Sequence, residues 1–273
     1  RLFRSYVDAL CGEISAGGEM VRRAGLRVRT FYMGGGTPTT LTAEQMDRVL
    51  TAFETSFDRT ACEEITVEAG RPDTITAEKL AVLARRGCSR VSVNPQTMQD
   101  AVLERMGRAH RADDILRAYA LARESGCVCS IIYLIAGRPG DSAAGFRASL
   151  EQVLALGPEN VTVHTLALKK GSRLMEVGGG LPSGAAVADM LDFAWAALRA
   201  AGQRPYYLYR QKYMSGSFEN VGWCRPGAES LYTICMMEEL HTIVSLGGGG
   251  VTKLVDRATG YIERLANAKY PQE

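Results

Sequence analysis

Polar side chains and glycine-rich turns follow successive predicted strands, and their types suit a ligand that carries both charges. They are one carboxylate, one amide, one guanidinium and three turns that expose the backbone: Glu68, Gln96, Arg108, Gly34–Thr37, Gly137–Gly140 and Ala167–Lys170. Glycine lets the backbone approach a ligand closely. A zwitterion with hydroxyl groups, such as an amino acid joined to a nucleoside, matches this set. Hydrolysis by acid–base catalysis matches it poorly, because these positions include no close carboxylate pair and no Ser–His–Asp set.

Each of these residues also has a purely structural interpretation. Glu68 taken alone could be a solvated strand end, Gln96 a turn residue, and Arg108 part of a surface loop. His110 and His164 are isolated in the sequence, and packing or surface roles are typical of such histidines. The ligand interpretation therefore depends on the whole set and on the elements that position it.

The stretch Phe31–Thr40 is the first element that would position such a ligand. Apolar and aromatic residues run into three glycines and Pro38, which predicts a buried strand that ends in a tight loop. Thr42 and Gln45 have the spacing of a capping box, so the next helix is predicted to begin there.

Strand-like and helix-like segments alternate along the first part of the chain. Predicted strands cover residues 31–33, 64–69, 90–95, 128–136 and 160–166, with helical periodicity before and between them. This alternation predicts right-handed βα crossovers and a parallel sheet, either a barrel or a doubly wound sheet. In both folds ligands bind at the carboxyl ends of the strands. The polar residues and turns described above lie at those ends.

Composition narrows the class of protein. The chain has 273 residues, of which 46% are hydrophobic and 23% are charged, and its formal net charge is +2. These values predict a globular protein with no nucleic-acid partner and no membrane span. Seven cysteines are an odd number without a framework or zinc-site spacing. They favour reduced thiols in a cytoplasmic protein, and no metal ligands are predicted among them.

The sequence changes character after Lys170. Glycine and proline residues at 178–184 predict a loop, so we divide the chain into a core, residues 1–177, and a C-terminal region, residues 178–273. The C-terminal region is predicted to contain helices at 187–200 and around 231–240, a glycine-rich turn at 245–251, and a last helix holding Tyr261, Ile262 and Leu265. It is expected to be an appendage on the parallel core.

Several ordered motifs resemble one known family. They are Gly34–Thr39, Glu64–Thr74, Val91–Met98, Met106–His110, Val161–Ser172, Tyr206–Gly216 and Phe218–Cys224. Together they resemble the radical S-adenosylmethionine superfamily, specifically its oxygen-independent coproporphyrinogen III oxidase and coproporphyrinogen dehydrogenase group. The resemblance covers nearly the whole chain. It implies an α/β fold, a (βα)6-type partial TIM barrel that here lacks its first strand, with a C-terminal α+β appendage.

The resemblance also implies roles for individual positions. In the family, a glycine loop receives the amino group of S-adenosylmethionine, and the next two strands, a basic residue, the last strand and the tail contribute further contacts. The matching positions are Gly35, Gly36, Thr37, Glu68, Gln96, Arg108, Tyr133, Ala167 and Val251. No position of this chain is assigned a catalytic role.

The implied activity is an oxygen-independent oxidative decarboxylation in haem biosynthesis. A [4Fe-4S] cluster and S-adenosylmethionine yield a 5′-deoxyadenosyl radical that abstracts hydrogen from propionates of coproporphyrinogen III. The propionates lose carbon dioxide and become the vinyl groups of protoporphyrinogen IX. The implied partners are this tetrapyrrole and a reductant such as flavodoxin or ferredoxin.

The sequence departs from the family pattern in three places. The Cys-x-x-x-Cys-x-x-Cys cluster loop is absent, so the cluster ligands are expected upstream of Arg1 and this chain alone is expected to be inactive. Tyr133 stands where the family has a cofactor-contacting Asp, which is expected to weaken S-adenosylmethionine binding or to remodel its site. Arg138 stands where the family favours leucine. An alternative function, motivated by Tyr133, is a non-catalytic haem- or tetrapyrrole-binding protein similar to a chaperone.

Overall fold

A computed structural model describes residues 2–126, 129–167, 180–211 and 218–270. The strands are β1 (Thr30–Met33), β2 (Glu64–Ala69), β3 (Arg90–Gln96), β4 (Cys129–Ala136), β5 (Asn160–Thr165), β6 (Arg204–Tyr209), β7 (Asn220–Cys224), β8 (Val251–Val255) and β9 (Ile262–Ala266). The helices are α1 (Leu2–Arg23), α2 (Ala43–Ser56), α3 (Ala77–Arg85), α4 (Asp100–Arg105), α5 (Ala112–Glu124), α6 (Ala143–Ala155), α7 (Gly184–Ala200) and α8 (Leu231–Met237). In this part of the chain no helix combines the length and the apolar character that crossing a membrane requires.

The main sheet has seven strands in the order β1-β2-β3-β4-β5-β7-β6. Strand β1 pairs with β2, and β4 with β5, in parallel, as the alternation of strands and helices predicts. Strand β7 is antiparallel to both β5 and β6. Strands β2 and β5 are rich in β-branched residues and almost completely buried, which is typical of a sheet covered by helices, whereas β1 is only half-buried, less than its sequence predicts.

The described residues form two compact units. Unit 1 comprises those within Arg1–Glu68, Thr76–Arg90 and Ser230–Glu273, and unit 2 those within Ala69–Ile75 and Val91–Glu229. The predicted boundary at residues 177 and 178 lies outside the described residues and stays a prediction, as do the structures predicted for Cys127, Val128 and residues 168–170.

In unit 1, the first two helices pack at close range on the face of β1. A Cβ atom at Gly18 would lie 2.4 Å from the carbonyl oxygen of Ser56, so glycine is required where α1 crosses α2. The rings of Phe31 and Phe53 are 4.1 Å apart, which joins β1 to α2. The capping box predicted at Thr42 is confirmed, since Thr42 and Gln45 bond each other's backbone N–H.

A buried carboxylate in unit 1 ties α8 to the strand β2. Glu64 is 4% exposed and forms an ion pair with Arg90, whose Nε lies 2.9 Å from Glu64 Oε2. The same carboxylate accepts hydrogen bonds from Ser230 Oγ at 2.9 Å, Leu231 N at 2.8 Å and Tyr232 N at 3.3 Å. Glu64 therefore caps the first turn of α8 and fixes its position on the sheet.

In unit 2, aromatic packing requires a glycine in β7. The Tyr207 hydroxyl lies 3.0 Å from Thr162 Oγ1, so the Tyr207 ring extends across the backbone of β7. A Cβ atom at Gly222 would lie 1.8 Å from Cε1 of Tyr207. The Trp195 and Trp223 rings, 4.8 Å apart, pack α7 on β7.

The last predicted helix is wrong. Tyr261, Ile262 and Leu265 have helical spacing, but residues Ile262–Ala266 form β9, which pairs antiparallel with β8. Turn chemistry closes this hairpin: Asp256 accepts hydrogen bonds from Ala258 N and Thr259 Oγ1, and Gly260 adopts a positive φ of 71°. The cross-strand pairing supplied by this turn outweighs the local helical pattern.

Candidate functional site

The glycine loop of unit 1 follows β1 and is exposed. A Cβ atom at Gly34 would lie 2.4 Å from Cε1 of Tyr32 and 3.1 Å from Oε2 of Glu68, so only glycine allows these side chains to cross the loop. Gly35 has a φ of 96°, which favours glycine, whereas a Cβ atom at Gly36 would meet nothing within 4 Å. The shape of the loop thus requires glycine at Gly34 and Gly35, whereas Gly36 leaves open space beside the loop.

Glu68 lies half-buried at the end of β2, and two hydrogen bonds orient its carboxylate. The Tyr32 hydroxyl donates to Oε1, and the backbone N–H of Gly35 donates to the carboxylate. Burial raises the pKa of Glu68, and these two hydrogen bonds partly oppose that rise. The arrangement holds a desolvated carboxylate in one orientation next to the glycine loop.

A stacked tyrosine pair supports this carboxylate. The Tyr32 and Tyr232 rings are 4.3 Å apart and inclined by only 11°. Tyr232 belongs to the first turn of α8, which Glu64 caps. A continuous set of contacts thus runs from Glu64 through Tyr232 and Tyr32 to Glu68.

The glycine loop also lines a cavity of about 1250 Å³ within unit 1. Its other walls come from α1, from β1, from residues 60–63 and from the segment 240–250. Val251 lies on β8 outside this lining and is 47% exposed. Apolar side chains and glycines form most of the lining, as they do in many small-molecule sites.

In unit 2, Gln96 ends β3 in an unusual backbone conformation. Its φ is 69°, in the left-handed region that residues other than glycine seldom adopt. Its Oε1 accepts a hydrogen bond of 2.6 Å from Nη2 of Arg138, which is 9% exposed. Arg138 Nε and the Asn94 Oδ1 atom are buried and have no hydrogen-bond partner among the described residues. Strained backbone and unpaired buried polar atoms are features of ligand sites.

Arg108 lies half-buried after α4. Burial lowers its pKa, the nearby charge of Arg71 lowers it further, and Asp73 raises it. Asp73 is paired with Arg71 through two hydrogen bonds, and the side chain of Arg108 makes no hydrogen bond or ion pair within the described ranges. His110 next to it is 4% exposed, and burial lowers its pKa, which keeps the ring neutral at pH 7. Arg108 is therefore a cation without a fixed partner.

Tyr133 lies on β4 beside a histidine of β5. The ring centroids of Tyr133 and His164 are 5.3 Å apart, and His164 Nδ1 lies 3.3 Å from the Tyr209 hydroxyl. Burial lowers the pKa of His164 to about 4, with a smaller effect from the charge of Arg138. Ala167 follows β5 and is half-buried. This group is uncharged at neutral pH and mainly aromatic.

The predicted site residues fall into two sets, one in each unit. Gly35, Gly36, Thr37, Glu68 and Val251 belong to unit 1, where Gly35 bonds Glu68 and Val251 lies apart from the cavity lining. Gln96, Arg108, Tyr133 and Ala167 belong to unit 2. Their assignment as S-adenosylmethionine contacts stays a prediction.

The two implied cofactors differ in how well the described residues fit them. In unit 1, the oriented Glu68 carboxylate and the exposed backbone of the glycine loop suit the amino and hydroxyl groups of S-adenosylmethionine. In unit 2, the unpaired Arg138 Nε suits a carboxylate. An iron–sulfur cluster needs several thiolates. Within residues 2–126, 129–167, 180–211 and 218–270, no group of three or more His, Cys, Asp or Glu residues is arranged to hold a metal ion. These residues therefore do not fit the cluster.

Sequence patterns alone do not assign several residues to the site. Tyr32 falls in a predicted strand, Tyr232 in a predicted helix, and Arg138 at a departure from the family pattern. Tyr209 belongs to a run of aromatic residues. The alternation of Tyr207 and Tyr209 along β6 was an available signal, because it predicts that both side chains face the same side of the sheet.

Comparison with known proteins identifies similar sequences and folds. A family model described as "Radical SAM superfamily" matches residues 16–153. The chain is 42% identical over 275 residues to the oxygen-independent coproporphyrinogen-III oxidase-like protein HemZ of Bacillus subtilis, covering 98% of this chain and 54% of that protein. It is 33% identical over 187 residues to the heme chaperone HemW of Bacillus subtilis, covering 66% of this chain and 48% of that protein. The chain thus spans about half the length of these curated relatives.

A solved structure has the same fold. Coproporphyrinogen III oxidase (HemN) from Escherichia coli superposes with a TM-score of 0.74 at 23% sequence identity. The superposition covers 92% of this chain and 57% of that one. At this identity the likeness concerns the fold alone.

Proposed function

Since the chain belongs to the radical SAM superfamily, whose cofactors are S-adenosylmethionine and a [4Fe-4S] cluster, we propose that the protein containing it decarboxylates coproporphyrinogen III without oxygen. The propionates of this tetrapyrrole would become the vinyl groups of protoporphyrinogen IX. The similarity to HemZ supports this proposal. Of the two cofactors, the described residues fit S-adenosylmethionine, and we assign to them the role of binding and orienting it.

The observation that carries the proposal is the desolvated Glu68 carboxylate beside the glycine loop. A carboxylate that protein donors already hold in place can accept hydrogen bonds from the hydroxyl or amino groups of a ligand without further ordering. Gly35, Gly36 and Thr37 would receive the amino group of the methionine moiety. Gln96 and Arg108 are proposed to contact its other polar groups, and Ala167 and Val251 to pack against it.

Binding of S-adenosylmethionine to the chain tests this role of Glu68. Isothermal titration calorimetry should show that Glu68→Gln weakens binding roughly 10- to 100-fold, as expected for the loss of a charged hydrogen bond. Glu19→Gln is the matched control, because Glu19 is an exposed acid of unit 1 that lies outside the cavity lining and pairs with Arg23. Equal affinities of the wild type and Glu68→Gln would contradict the assignment.

The reaction itself requires the longer protein. We expect anaerobic incubation of that protein with S-adenosylmethionine, coproporphyrinogen III and a reductant such as reduced flavodoxin or ferredoxin to release carbon dioxide and form protoporphyrinogen IX. Cofactor cleavage without carbon dioxide would retain a radical enzyme but exclude this substrate.

A second candidate function is binding of haem or another tetrapyrrole without catalysis. The observation in its favour is Tyr133, which stands where the family pattern has an acid and packs beside His164. The similarity to the heme chaperone HemW supports it as well. Parallel titrations with haem and with S-adenosylmethionine separate the two candidates. Tight haem binding with no cofactor cleavage by the longer protein would favour the carrier.

A further inference from the structure

Arg138 is a buried guanidinium whose hydrogen bonds are incomplete. It lies in the loop between β4 and α6, between Gly137 and Pro139, and is 9% exposed. One nitrogen, Nη2, donates to Gln96 Oε1 at 2.6 Å. Its Nε is buried and has no partner among the described residues. A guanidinium carries five N–H donors, so this single hydrogen bond to the described residues leaves most of its donors unused.

No carboxylate within the described ranges forms an ion pair with Arg138. Asp141 is the nearby acid, and its Oδ1 accepts from Gln99 Nε2 at 2.7 Å and from Ser142 N at 2.8 Å. Asp141 acts on Arg138 only through its charge, which raises the pKa of Arg138 less than other effects lower it. Burying a cation without a close countercharge is costly, and removing such a charge is often neutral or stabilising. Contacts within the described residues therefore do not explain why this position holds an arginine.

The charge of a second cation, Arg108, also acts on Arg138. After burial, it is one of the causes that lower the pKa of Arg138 to about 10. An anionic group bound at Arg138 would offset this repulsion and complete the hydrogen bonds of its guanidinium.

We propose that Arg138 binds one carboxylate group of a ligand in unit 2, with Gln96 holding the Arg138 side chain. This inference rests on the proposed function for the identity of the ligand. The carboxylate belongs either to the methionine moiety of S-adenosylmethionine or to a propionate of the tetrapyrrole. Arginine suits either, since its planar fork matches the geometry of a carboxylate. The strained backbone of Gln96 is then the means by which its side chain reaches Arg138.

The test compares three variants of the whole chain with the wild type. Arg138→Leu removes the guanidinium, and Arg138→Lys keeps the charge but loses the fork. Arg117→Leu is the control, because Arg117 is an exposed arginine of unit 2 that pairs with Asp114. Circular dichroism establishes that each variant is folded. Dissociation constants are then measured for S-adenosylmethionine by calorimetry and for coproporphyrin III by fluorescence.

The titrations with S-adenosylmethionine and with coproporphyrin III distinguish the source of the carboxylate. We expect Arg138→Leu to weaken binding of one ligand roughly 10- to 100-fold, Arg138→Lys to weaken it less, and Arg117→Leu to leave it unchanged. A loss confined to S-adenosylmethionine assigns the site to the cofactor, and a loss confined to coproporphyrin III assigns it to the tetrapyrrole. If Arg138→Leu changes neither dissociation constant by more than about twofold, the proposal is overturned.

A simpler probe separates this proposal from the proposed function. The fluorine NMR line of 3-(4-fluorophenyl)propionate should broaden with the wild-type chain but not with Arg138→Leu, and the line of the corresponding amide should not broaden with either. If the wild type binds neither S-adenosylmethionine nor coproporphyrin III but gives this result, the carboxylate site stands and the proposed function fails. No broadening by a wild type that also binds neither ligand overturns the carboxylate site.

Discussion

Removal of the Glu64 carboxylate should destabilise unit 1 more than any exposed substitution. Glu64 joins β2 to the first turn of α8 through Ser230 Oγ, Leu231 N and Tyr232 N, and it neutralises Arg90. The two side chains of the ion pair are only 5% and 11% exposed. Glu64→Ala removes the buried charge that pairs with Arg90 and the acceptor of these three hydrogen bonds. Breaking a buried pair in this way costs about 3–5 kcal/mol of the free energy of unfolding.

Urea and thermal unfolding at pH 7 measure this cost. A loss of 3–5 kcal/mol corresponds to a fall in Tm of about 6–20 °C for a chain of this size. Glu64→Gln keeps one acceptor oxygen and loses the charge, so we expect a smaller loss of about 1–3 kcal/mol. Glu63→Ala is the control, because Glu63 is exposed and solvent screens its pair with Arg29, so its removal should change stability little.

Amide hydrogen exchange tests whether the loss of stability arises at the contact between Glu64 and α8. The amides of Leu231 and Tyr232 donate to Glu64, so both should exchange faster in Glu64→Ala, relative to amides of β2, than in the wild type. The reasoning is refuted if Glu64→Ala unfolds within about 1 kcal/mol of Glu63→Ala. It is also refuted if stability falls while these two amides keep their protection, because the loss would then arise away from α8.

Three further predictions concern the site and its supports. Burial raises the pKa of Glu68, so the ionised carboxylate opposes folding above the ordinary carboxyl pKa. Glu68→Gln should therefore have a higher Tm than the wild type at pH 7, and this difference should vanish towards pH 4. Burial lowers the pKa of His164 to about 4, so on acidification the unfolded chain takes up a proton before the folded chain does. The free energy of unfolding should therefore fall by up to about 3 kcal/mol from pH 6.5 to pH 4, and thermal melts of His164→Asn should lack this loss. Gly222→Ala places a Cβ atom 1.8 Å from Tyr207 Cε1, so it should lower the free energy of unfolding in urea by more than about 2 kcal/mol. Most of this loss should disappear when the same substitution is made together with Tyr207→Ala.

The sequence predicts those features of the fold that local patterns determine. Apolar alternation and β-branched residues locate the strands, the three glycines locate the loop after β1, and Thr42 with Gln45 locates the start of α2. The predicted α/β fold class is confirmed by the family match and by the fold of HemN. The β9 strand was missed because its pairing with β8, rather than its own periodicity, decides its conformation.

The contacts of the candidate site could not be predicted in the same way. Glu64 and Tyr232 are separated by 168 positions in the sequence, and no local pattern indicates that one caps the other. Gln96 and Arg138 are separated by 42 positions, and their bond depends on the left-handed backbone of Gln96. Strand ends can be listed from a sequence, but the partners of each side chain there are decided by tertiary packing.

In each unit, features that are energetically unfavourable for folding lie at strand ends, whereas the interiors of the strands are well packed. Val67 and Val93 are completely buried, whereas Glu68 has a raised pKa, Gln96 a strained backbone and Arg138 an incomplete set of hydrogen bonds. If these residues served stability, replacing them with neutral side chains would weaken the fold. If they serve a ligand, Glu68→Gln and Arg138→Leu should each raise the Tm of the chain measured alone and weaken ligand binding, because the ligand supplies the compensation that the protein lacks. The sign of the change in Tm therefore separates a binding role from a structural one.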